Sequence, residues 1–174
     1  SACAKPANPT MPPEAVAEEL VTELVGAGLT VATAESLTGG LIGATITAVP
    51  GASKTYLGGL VVYATALKHS LAGVDQEVLD AHGAVSSQTA EALAAGVRTI
   101  TGADWAIAVT GVAGPDSQEG HTPGTVWIGL AGPDGATTAS LLSLHGDRQQ
   151  IRVQTVDAAL SELLARVQGS HSSS

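Results

Sequence analysis

Residues 29–40 read LTVATAESLTGG, an apolar run followed by a polar turn that ends in two glycines. Its first part, Leu29 to Ala34, is short, apolar and β-branched and follows Gly28, which predicts a buried strand. A polar ESLTGG turn comes next, and the apolar run from Leu41 to Val49 predicts a helix that Pro50 ends. A buried strand that leads through a short turn into a helix is typical of α/β proteins, which build their sites in such turns.

Alternating helices and strands continue on both sides of this stretch. A first helix is predicted from Pro12 to the glycine stop at Gly26 and Gly28, and GPDG at 132–135 predicts a tight turn between two strands. We therefore predict an α/β fold, a three-layer α/β/α sandwich with a mixed, mostly parallel central sheet. The other predicted strands are 60–63, 105–110, 125–131 and 136–144, and the other predicted helices are 64–73, Ser86 or Ser87 to Gly102, and Asp147 to about Val167.

The chain of 174 residues has the length of one ordinary domain. We predict that domain over residues 11–168, since Met11 followed by PPEAV looks like a natural start. Residues 1–10 are then an unstructured extension or a cloning remnant, and residues 169–174 are a tail. Hydrophobic residues make up 44% of the chain, yet Phe is absent. The core is therefore expected to consist of small aliphatic side chains that let helices pack closely on the sheet.

The charge balance argues against polyanionic partners. Seven Lys and Arg stand against sixteen Asp and Glu, which gives a net charge of −9, so neither nucleic acid nor a membrane surface is an expected partner. A phosphorylated small molecule would have to be held by one of these few cations or by backbone amides. The single Cys3 cannot pair within the chain, which favours a cytoplasmic location.

Ser36 has two interpretations in the ESLTGG turn. A serine before an apolar helical run is an ordinary N-cap. A serine beside the free amides of a helix N-terminus is also placed for nucleophilic attack, with the amides stabilising an oxyanion. The stretch does not match the G-x-S-x-G nucleophile elbow, because Ala34 and Thr38 stand where glycines are required. For Glu35 we favour a surface carboxylate or a contact at the helix start.

Lys68 is the candidate base for that serine. It lies between Leu67 and Leu71 in a helix behind a strand, where a solvated surface lysine would serve equally well. To act as a base, its pKa must fall from about 10.4 to near 7 or 8, which requires roughly 4 kcal/mol of destabilisation of the ammonium form. A neutral lysine can then activate serine without histidine. Three histidines are alternative bases, and their spacing predicts no metal site. They are His69, His121 and His145.

A long glycine- and proline-rich loop follows another predicted strand. In VTGVAGPD, Gly111 and Gly114 allow the backbone to approach a ligand and leave Thr110 at the strand end. The loop, residues 111–124, has a length that usually signals function inside a compact domain.

Two arginines lie at the start of the last predicted helix. GDRQQIR places Arg148 and Arg152 four residues apart on one helix face. Cations at a helix N-terminus oppose the helix dipole, so they need a reason beyond helix stability. An anionic ligand is one such reason.

Together these residues resemble a known family, the C-terminal domain of the competence/damage-inducible protein CinA, which also occurs alone as nicotinamide-nucleotide amidase. The matching pieces appear in the order of the family and cover roughly residues 12–166. They are AESLTGG, the PG-then-GG loop into GGLVVYATALK, the GV of LAGV, HGAVS, VTGVAGPD, PGTVWIGLA and GDRQQIR.

The resemblance implies hydrolysis of the carboxamide of nicotinamide mononucleotide to nicotinate mononucleotide and ammonia, without metal or cofactor. It implies Ser36 as the nucleophile, Lys68 as the base, and Tyr63 as an aid to proton transfer or positioning. Members of the family tend to associate as dimers, so a homodimer is expected. The implied substrate-binding residues are Thr38, Gly39, Gly40, Thr110, Gly111 and Gly114, with Arg148 or Arg152 for the phosphate.

Two departures from the family pattern concern substrate contacts. Leu37 stands where many relatives have cysteine, and Ala64-Thr65 where many have Ser-Asn. Neither removes the nucleophile or the base. A second reading, a noncatalytic nucleotide- or partner-binding module, stays open beside the amidase, as does hydrolysis of another pyridine or phosphorylated amide. A depressed pKa of Lys68 would favour the enzyme, and a fully exposed ammonium group would favour the module.

Overall fold

A computed structural model describes residues 13–172 of the chain. Within this range, none of the helices combines the length and the apolar character that a membrane span requires. The elements, in chain order, are α1 (Pro13–Ala27), β1 (Val31–Glu35), α2 (Leu41–Thr47), a 3-10 turn (Ala52–Lys54), β2 (Tyr56–Val61), α3 (Thr65–Ser70), α4 (Gln76–His82), α5 (Ser87–Thr101), β3 (Trp105–Gly111), β4 (Thr125–Ala131), β5 (Thr137–Ser143) and α6 (Arg148–His171).

The strands of the described residues form one five-stranded sheet in the order β2-β1-β3-β4-β5. β1 pairs in parallel with β2 and β3, so that Glu35 lies opposite both Val61 and Val109. β4 is antiparallel to β3 and to β5. Four of these five described strands therefore run in one direction, and the predicted mixed, mostly parallel sheet is confirmed.

The two faces of the sheet carry side chains of different size. Ile107 of β3 packs in the cluster formed with α1, α2 and α6, whereas Ala106 and Ala108 pack in the cluster formed with α4 and α5. Small residues let α5 come very close to the sheet: a Cβ on Gly129 of β4 would lie 2.1 Å from the carbonyl oxygen of Ala90. The predicted three layers and aliphatic core are thus confirmed, and the small residues explain why no Phe is needed.

The start of β2 differs from the prediction. The sequence predicts a loop over residues 50–59 and a strand over residues 60–63, but β2 begins at Tyr56 and ends at Val61. Its strand pattern is obscured by glycine, which the packing requires: a Cβ on Gly59 would lie 2.2 Å from Thr33 Oγ1 and 2.8 Å from the Tyr56 hydroxyl. A glycine pair inside a strand reads as a loop when neighbouring side chains are unknown.

Helix boundaries agree at some positions and differ at others. Ser86 caps α5 by accepting a hydrogen bond from the Thr89 amide, and Gly102 ends that helix in a left-handed conformation, both as predicted. The sequence analysis does not predict α4, a helix of 7 residues. α6 continues to His171, so the first part of the predicted tail at 169–174 is helical. The predicted extension at 1–10 and a helix start at Pro12 lie outside the described residues.

Candidate active site

The candidate site lies where the parallel strands end. Ser36 follows β1, Tyr63 follows β2, Thr110 lies at the end of β3, and Arg148 begins α6. These elements surround a cavity of about 620 Å³. The loops that follow these strands therefore converge in space. The residues that line the cavity include Ser36, Leu37, Tyr63, Lys68, Ala84, Val85, Thr110, Gly111, Gly114, Asp116 and Arg148.

Ser36 and Lys68 meet at the base of this cavity. Lys68 Nζ lies 3.0 Å from Ser36 Oγ, and it donates to the carbonyl oxygens of Val62 at 2.8 Å and Tyr63 at 3.4 Å. Lys68 is 1% exposed and Ser36 is 7% exposed. The hydroxyl and the amine are thus within proton-transfer distance, and both side chains are largely shielded from solvent.

Helix α3 is turned so that its lysine faces inward. Leu67 is 37% exposed and Leu71 just beyond the helix is 48% exposed, whereas Lys68 between them is buried. Burial lowers the pKa of Lys68 to about 8, and the negative charge of Glu119 opposes this shift. The surface-lysine alternative is therefore wrong, and a substantial fraction of the side chain is neutral near pH 8.

Glu35 shapes the turn that carries Ser36. Its carboxylate is 2% exposed and accepts hydrogen bonds from the Thr38 hydroxyl at 2.7 Å, the Ile42 amide at 2.8 Å and the Gly43 amide at 3.0 Å. The expected contact at the helix start is confirmed, and the surface-carboxylate alternative is wrong. The expectation from the sequence is that free amides at the start of α2 stabilise an oxyanion at Ser36. The amides of Ile42 and Gly43 are not available for this, because they donate to Glu35.

Three predicted substrate-binding residues have structural roles in the same turn. The Thr38 hydroxyl is fully buried and bonded to Glu35. Gly39 and Gly40 adopt φ values of 60° and 105°, which glycine permits at little cost. None of the three is among the residues that line the described cavity. The structure therefore assigns the three residues to the support of the turn, and their contact with a ligand stays a prediction.

The two arginines of α6 are used differently. Arg152 donates to the backbone carbonyls of Leu37 at 3.0 Å and Thr38 at 3.2 Å, so it holds the Ser36 turn. Arg148 lines the cavity and donates to the Gly114 carbonyl at 2.6 Å and to the Tyr63 hydroxyl at 2.9 Å. Of the two phosphate candidates, only Arg148 faces the described cavity.

Tyr63 lies at the mouth of the cavity. Its side chain is 60% exposed, and its hydroxyl accepts from Arg148, while only its backbone carbonyl contacts Lys68. The structure therefore favours positioning of Arg148 over proton transfer as the role of Tyr63.

The β3 end contributes a wall of the cavity. Thr110, 1% exposed, donates its hydroxyl to the Ala84 carbonyl at 2.7 Å. Gly111 is required by its neighbour strand, because a Cβ there would lie 2.6 Å from the Thr125 carbonyl oxygen. Both residues line the cavity, as predicted, but the tight approach at Gly111 is to β4.

Sequence reasoning missed the segment Gly83 to Val85 and Glu119. The Glu119 carboxylate accepts hydrogen bonds from the amides of Ala84 at 2.8 Å and Val85 at 3.0 Å. The sequence signal that could have indicated this segment is the glycine of HGAVS. In the structure this residue, Gly83, has a positive φ of 77°. His69, an alternative base, instead bonds through Nδ1 to the Val74 carbonyl. Within residues 13–172, no three His, Cys, Asp or Glu side chains cluster as a metal site would require.

Comparisons with known proteins agree with this fold. The family model of the CinA C-terminal domain matches residues 13–167. The chain belongs to the CinA C-terminal domain family. It is 55% identical over 137 residues to a CinA-like protein of Frankia casuarinae, covering 79% of this chain and 31% of that protein. A CinA-like protein of Synechocystis is 44% identical over 162 residues, covering 88% and 39%. The chain thus spans about a third of the length of these curated relatives.

Solved structures resemble the whole described domain. A CinA superfamily protein from Enterobacter cloacae superposes with a TM-score of 0.89 at 33% identity, covering 96% of this chain and 99% of that one. The competence/damage inducible protein CihA from Agrobacterium tumefaciens gives a TM-score of 0.85 at 36% identity, covering 88% and 94%. The α/β fold of this chain is therefore that of the CinA superfamily.

The role of Glu35 predicts a stability effect. Glu35→Gln replaces one acceptor oxygen by an NH₂ group, which cannot accept the hydrogen bonds made there. Leaving a buried donor unsatisfied costs about 1–3 kcal/mol, so the free energy of unfolding, measured with urea, should fall by that amount. Glu18→Gln, which removes the same charge from an exposed position of α1, is the matched control. A Glu35→Gln protein as stable as Glu18→Gln would contradict this role.

Proposed function

We propose that this protein hydrolyses the carboxamide of nicotinamide mononucleotide to nicotinate mononucleotide and ammonia. The observation that carries the proposal is the 3.0 Å contact between Ser36 Oγ and the buried Nζ of Lys68. The resemblance noted from the sequence supplies the substrate, and the names of the similar proteins state no reaction.

The contacts of Lys68 explain how it would serve as a base. A neutral amine has two N–H donors and one lone pair. If the carbonyls of Val62 and Tyr63 accept the two N–H groups, the lone pair is left to accept the hydrogen bond of the Ser36 hydroxyl. The backbone thus orients the basic lone pair towards the nucleophile.

The reaction then proceeds in two halves. Ser36 Oγ attacks the carboxamide carbon while its proton passes to Lys68, and the developing oxyanion is assigned to the backbone N–H of Leu37, which follows the nucleophile and lines the cavity. Lys68 returns the proton to the leaving nitrogen, so that ammonia departs from an acyl-serine ester. Water, deprotonated by Lys68, hydrolyses the ester and restores Ser36.

The rest of the cavity suits a phosphorylated ligand. Arg148 offers a guanidinium group at the mouth, and its present partners, a carbonyl and a phenol oxygen, are neutral. A phosphate would form stronger, charge-assisted hydrogen bonds with it. Tyr63 would hold the guanidinium in place.

We also propose a homodimer. Apolar side chains are exposed on the edge strand β2 and around α3, where a second copy would cover them. They are Leu57, Val61, Leu67 and Leu71, each 37% to 50% exposed.

Ammonia release from nicotinamide mononucleotide tests the reaction directly. The wild-type protein should be active with a chelator present, and Ser36→Ala and Lys68→Ala should each lose activity by a factor on the order of 10³ or more, because nucleophile and base act as a unit. Circular dichroism must show that both variants fold. A wild-type protein that binds the nucleotide without releasing ammonia would make this a binding module, and an active Ser36→Ala would return Ser36 to a structural role.

The pH dependence tests the base. If neutral Lys68 accepts the proton, kcat/KM should rise as pH increases through a pKa of about 8. For one titrating base this is about a tenfold increase between pH 7 and pH 9. The measurement is kcat/KM at half-unit pH steps at constant ionic strength. A profile that is flat above pH 7 would identify a base with a lower pKa, such as a histidine.

Arg148→Ala tests phosphate recognition. Loss of a charge-assisted hydrogen bond of about 1.5–3 kcal/mol should raise KM for the nucleotide roughly tenfold or more. Turnover of the corresponding nucleoside, which lacks the phosphate, should change little. Arg152→Ala is the comparison: because Arg152 holds the Ser36 turn, it should lower kcat for both compounds. Equal losses for nucleotide and nucleoside in Arg148→Ala would contradict the assignment.

A further inference from the structure

Glu119 occupies a turn that does not suit its side chain. Gln118 and His121 exchange two backbone hydrogen bonds, of 3.1 and 2.8 Å, and the two residues between them, Glu119 and Gly120, have φ of 52° and 76°. This is the geometry of a type I′ turn, whose first central position favours Asn, Asp or Gly. Among the described residues, Glu119 is the one non-glycine with positive φ. A strained residue of this kind suggests a role for its side chain.

The Glu119 carboxylate joins two walls of the cavity. It belongs to the loop 111–124 and accepts the amide hydrogens of Ala84 and Val85, one on each oxygen. Both of these residues are buried and line the cavity. Gly83 leaves room for the carboxylate, since a Cβ there would lie 2.9 Å from Glu119 Oε2. The Ala84 carbonyl in turn accepts the Thr110 hydroxyl, which links this contact to the end of β3.

We propose that Glu119 is a positioning residue of the hydrolytic site: its carboxylate fastens the 111–124 loop to the amides of Ala84 and Val85 and thereby holds one wall of the cavity, and its own negative charge, in place relative to Lys68. This inference rests on the proposed function. Glu119, an exposed residue of the loop, then influences both the position of the cavity wall at Ala84 and Val85 and the ionisation of Lys68.

The electrostatic part of the role has a definite sign. The negative charge of Glu119 favours the ammonium form and so raises the pKa of Lys68 against the larger lowering by burial. Removing that charge should lower the pKa of Lys68 further and move the rise of activity to lower pH. The other charged or titratable groups on the surrounding elements include Glu35 of β1, Tyr63 after β2, His69 of α3, Glu77, Asp80 and His82 of α4, Asp116 and His121 of the loop, and Arg148 and Arg152 of α6.

Two substitutions separate the charge from the contact. Glu119→Gln removes the charge and one acceptor, whereas Glu119→Asp keeps the charge on a side chain one methylene shorter. We expect kcat/KM to fall on the order of tenfold in both, because the cavity wall is displaced. The rise of activity with pH should move to lower pH in Glu119→Gln and stay in place in Glu119→Asp. Glu18→Gln, an exposed charge change on α1, should alter neither.

A measurement without turnover keeps this inference separate from the proposed function. The chain has three lysines, Lys5, Lys54 and Lys68, so the ¹³Cε resonance of Lys68 can be assigned with Lys68→Ala and titrated in each variant. Amide hydrogen exchange at Ala84 and Val85 should also be faster in both Glu119 variants, which tests the contact even if Glu119→Gln folds poorly.

The outcomes are distinct. The proposal is supported if the pKa of Lys68 falls in Glu119→Gln but not in Glu119→Asp, and if the amides of Ala84 and Val85 exchange faster in both variants. An unchanged titration of Lys68 together with unchanged exchange overturns it. If the titration shifts but the wild-type protein releases no ammonia, the proposed hydrolysis fails while the positioning by Glu119 stands.

Discussion

The burial of Lys68 is the constraint on which the site depends. A lysine pKa lowered from 10.5 to about 8 corresponds to about 3 kcal/mol of destabilisation of the ammonium form. This is close to the roughly 4 kcal/mol that the sequence argument requires of a base. The fold provides it by turning α3 so that Lys68 enters the protein while Leu67 and Leu71 remain at the surface. Backbone carbonyls after β2 then accept the hydrogen bonds of the amine.

A buried lysine is useful only if the serine is held at a fixed distance from it. The Ser36 amide continues the β1–β3 ladder by donating to the Val109 carbonyl at 3.1 Å. On the other side of the turn, Glu35 gathers the first amides of α2, and Arg152 binds the carbonyls of Leu37 and Thr38. The turn is thus held by strand, helix and a distant helix at once. Such over-determination is what precise placement of a nucleophile requires.

Much of this could be predicted from the sequence because the patterns are local. Strand β1, the caps Ser86 and Gly102, and the hairpin turn follow from periodicity and from residues with one clear conformational preference. Ser36 and Lys68 could be paired through the resemblance and the chemistry of a serine that needs a base. The start of β2 could not be predicted because Gly59 is required by close contacts with Thr33 of β1 and with the side chain of Tyr56 on β2 itself.

The roles that sequence reasoning missed depend on tertiary contacts. The sequence does not distinguish the roles of Arg148 and Arg152. In the structure, Arg152 supports the Ser36 turn, whereas Arg148 lines the cavity. Likewise, only the structure shows that the Thr38 hydroxyl donates a hydrogen bond to the buried Glu35 carboxylate. Glu119 is an exposed acid in a loop, and nothing in its neighbours shows that its partners lie 34 and 35 residues earlier in the chain.

The distribution of unfavourable features distinguishes the two functions that the sequence leaves open. A module that only binds an anionic nucleotide gains from an exposed, fully charged lysine, whose ammonium group attracts phosphate. Here the lysine in the cavity is 1% exposed and its pKa is lowered to about 8, which weakens anion binding and leaves more of the side chain as the free amine that can accept the proton of Ser36. The inward Lys68 lines this cavity, the buried Glu35 holds the turn that carries Ser36, and the strained Glu119 binds the amides of the cavity-lining Ala84 and Val85. Unfavourable features that converge on one place are typical of a site that performs chemistry, which supports the proposed amidase rather than the binding module.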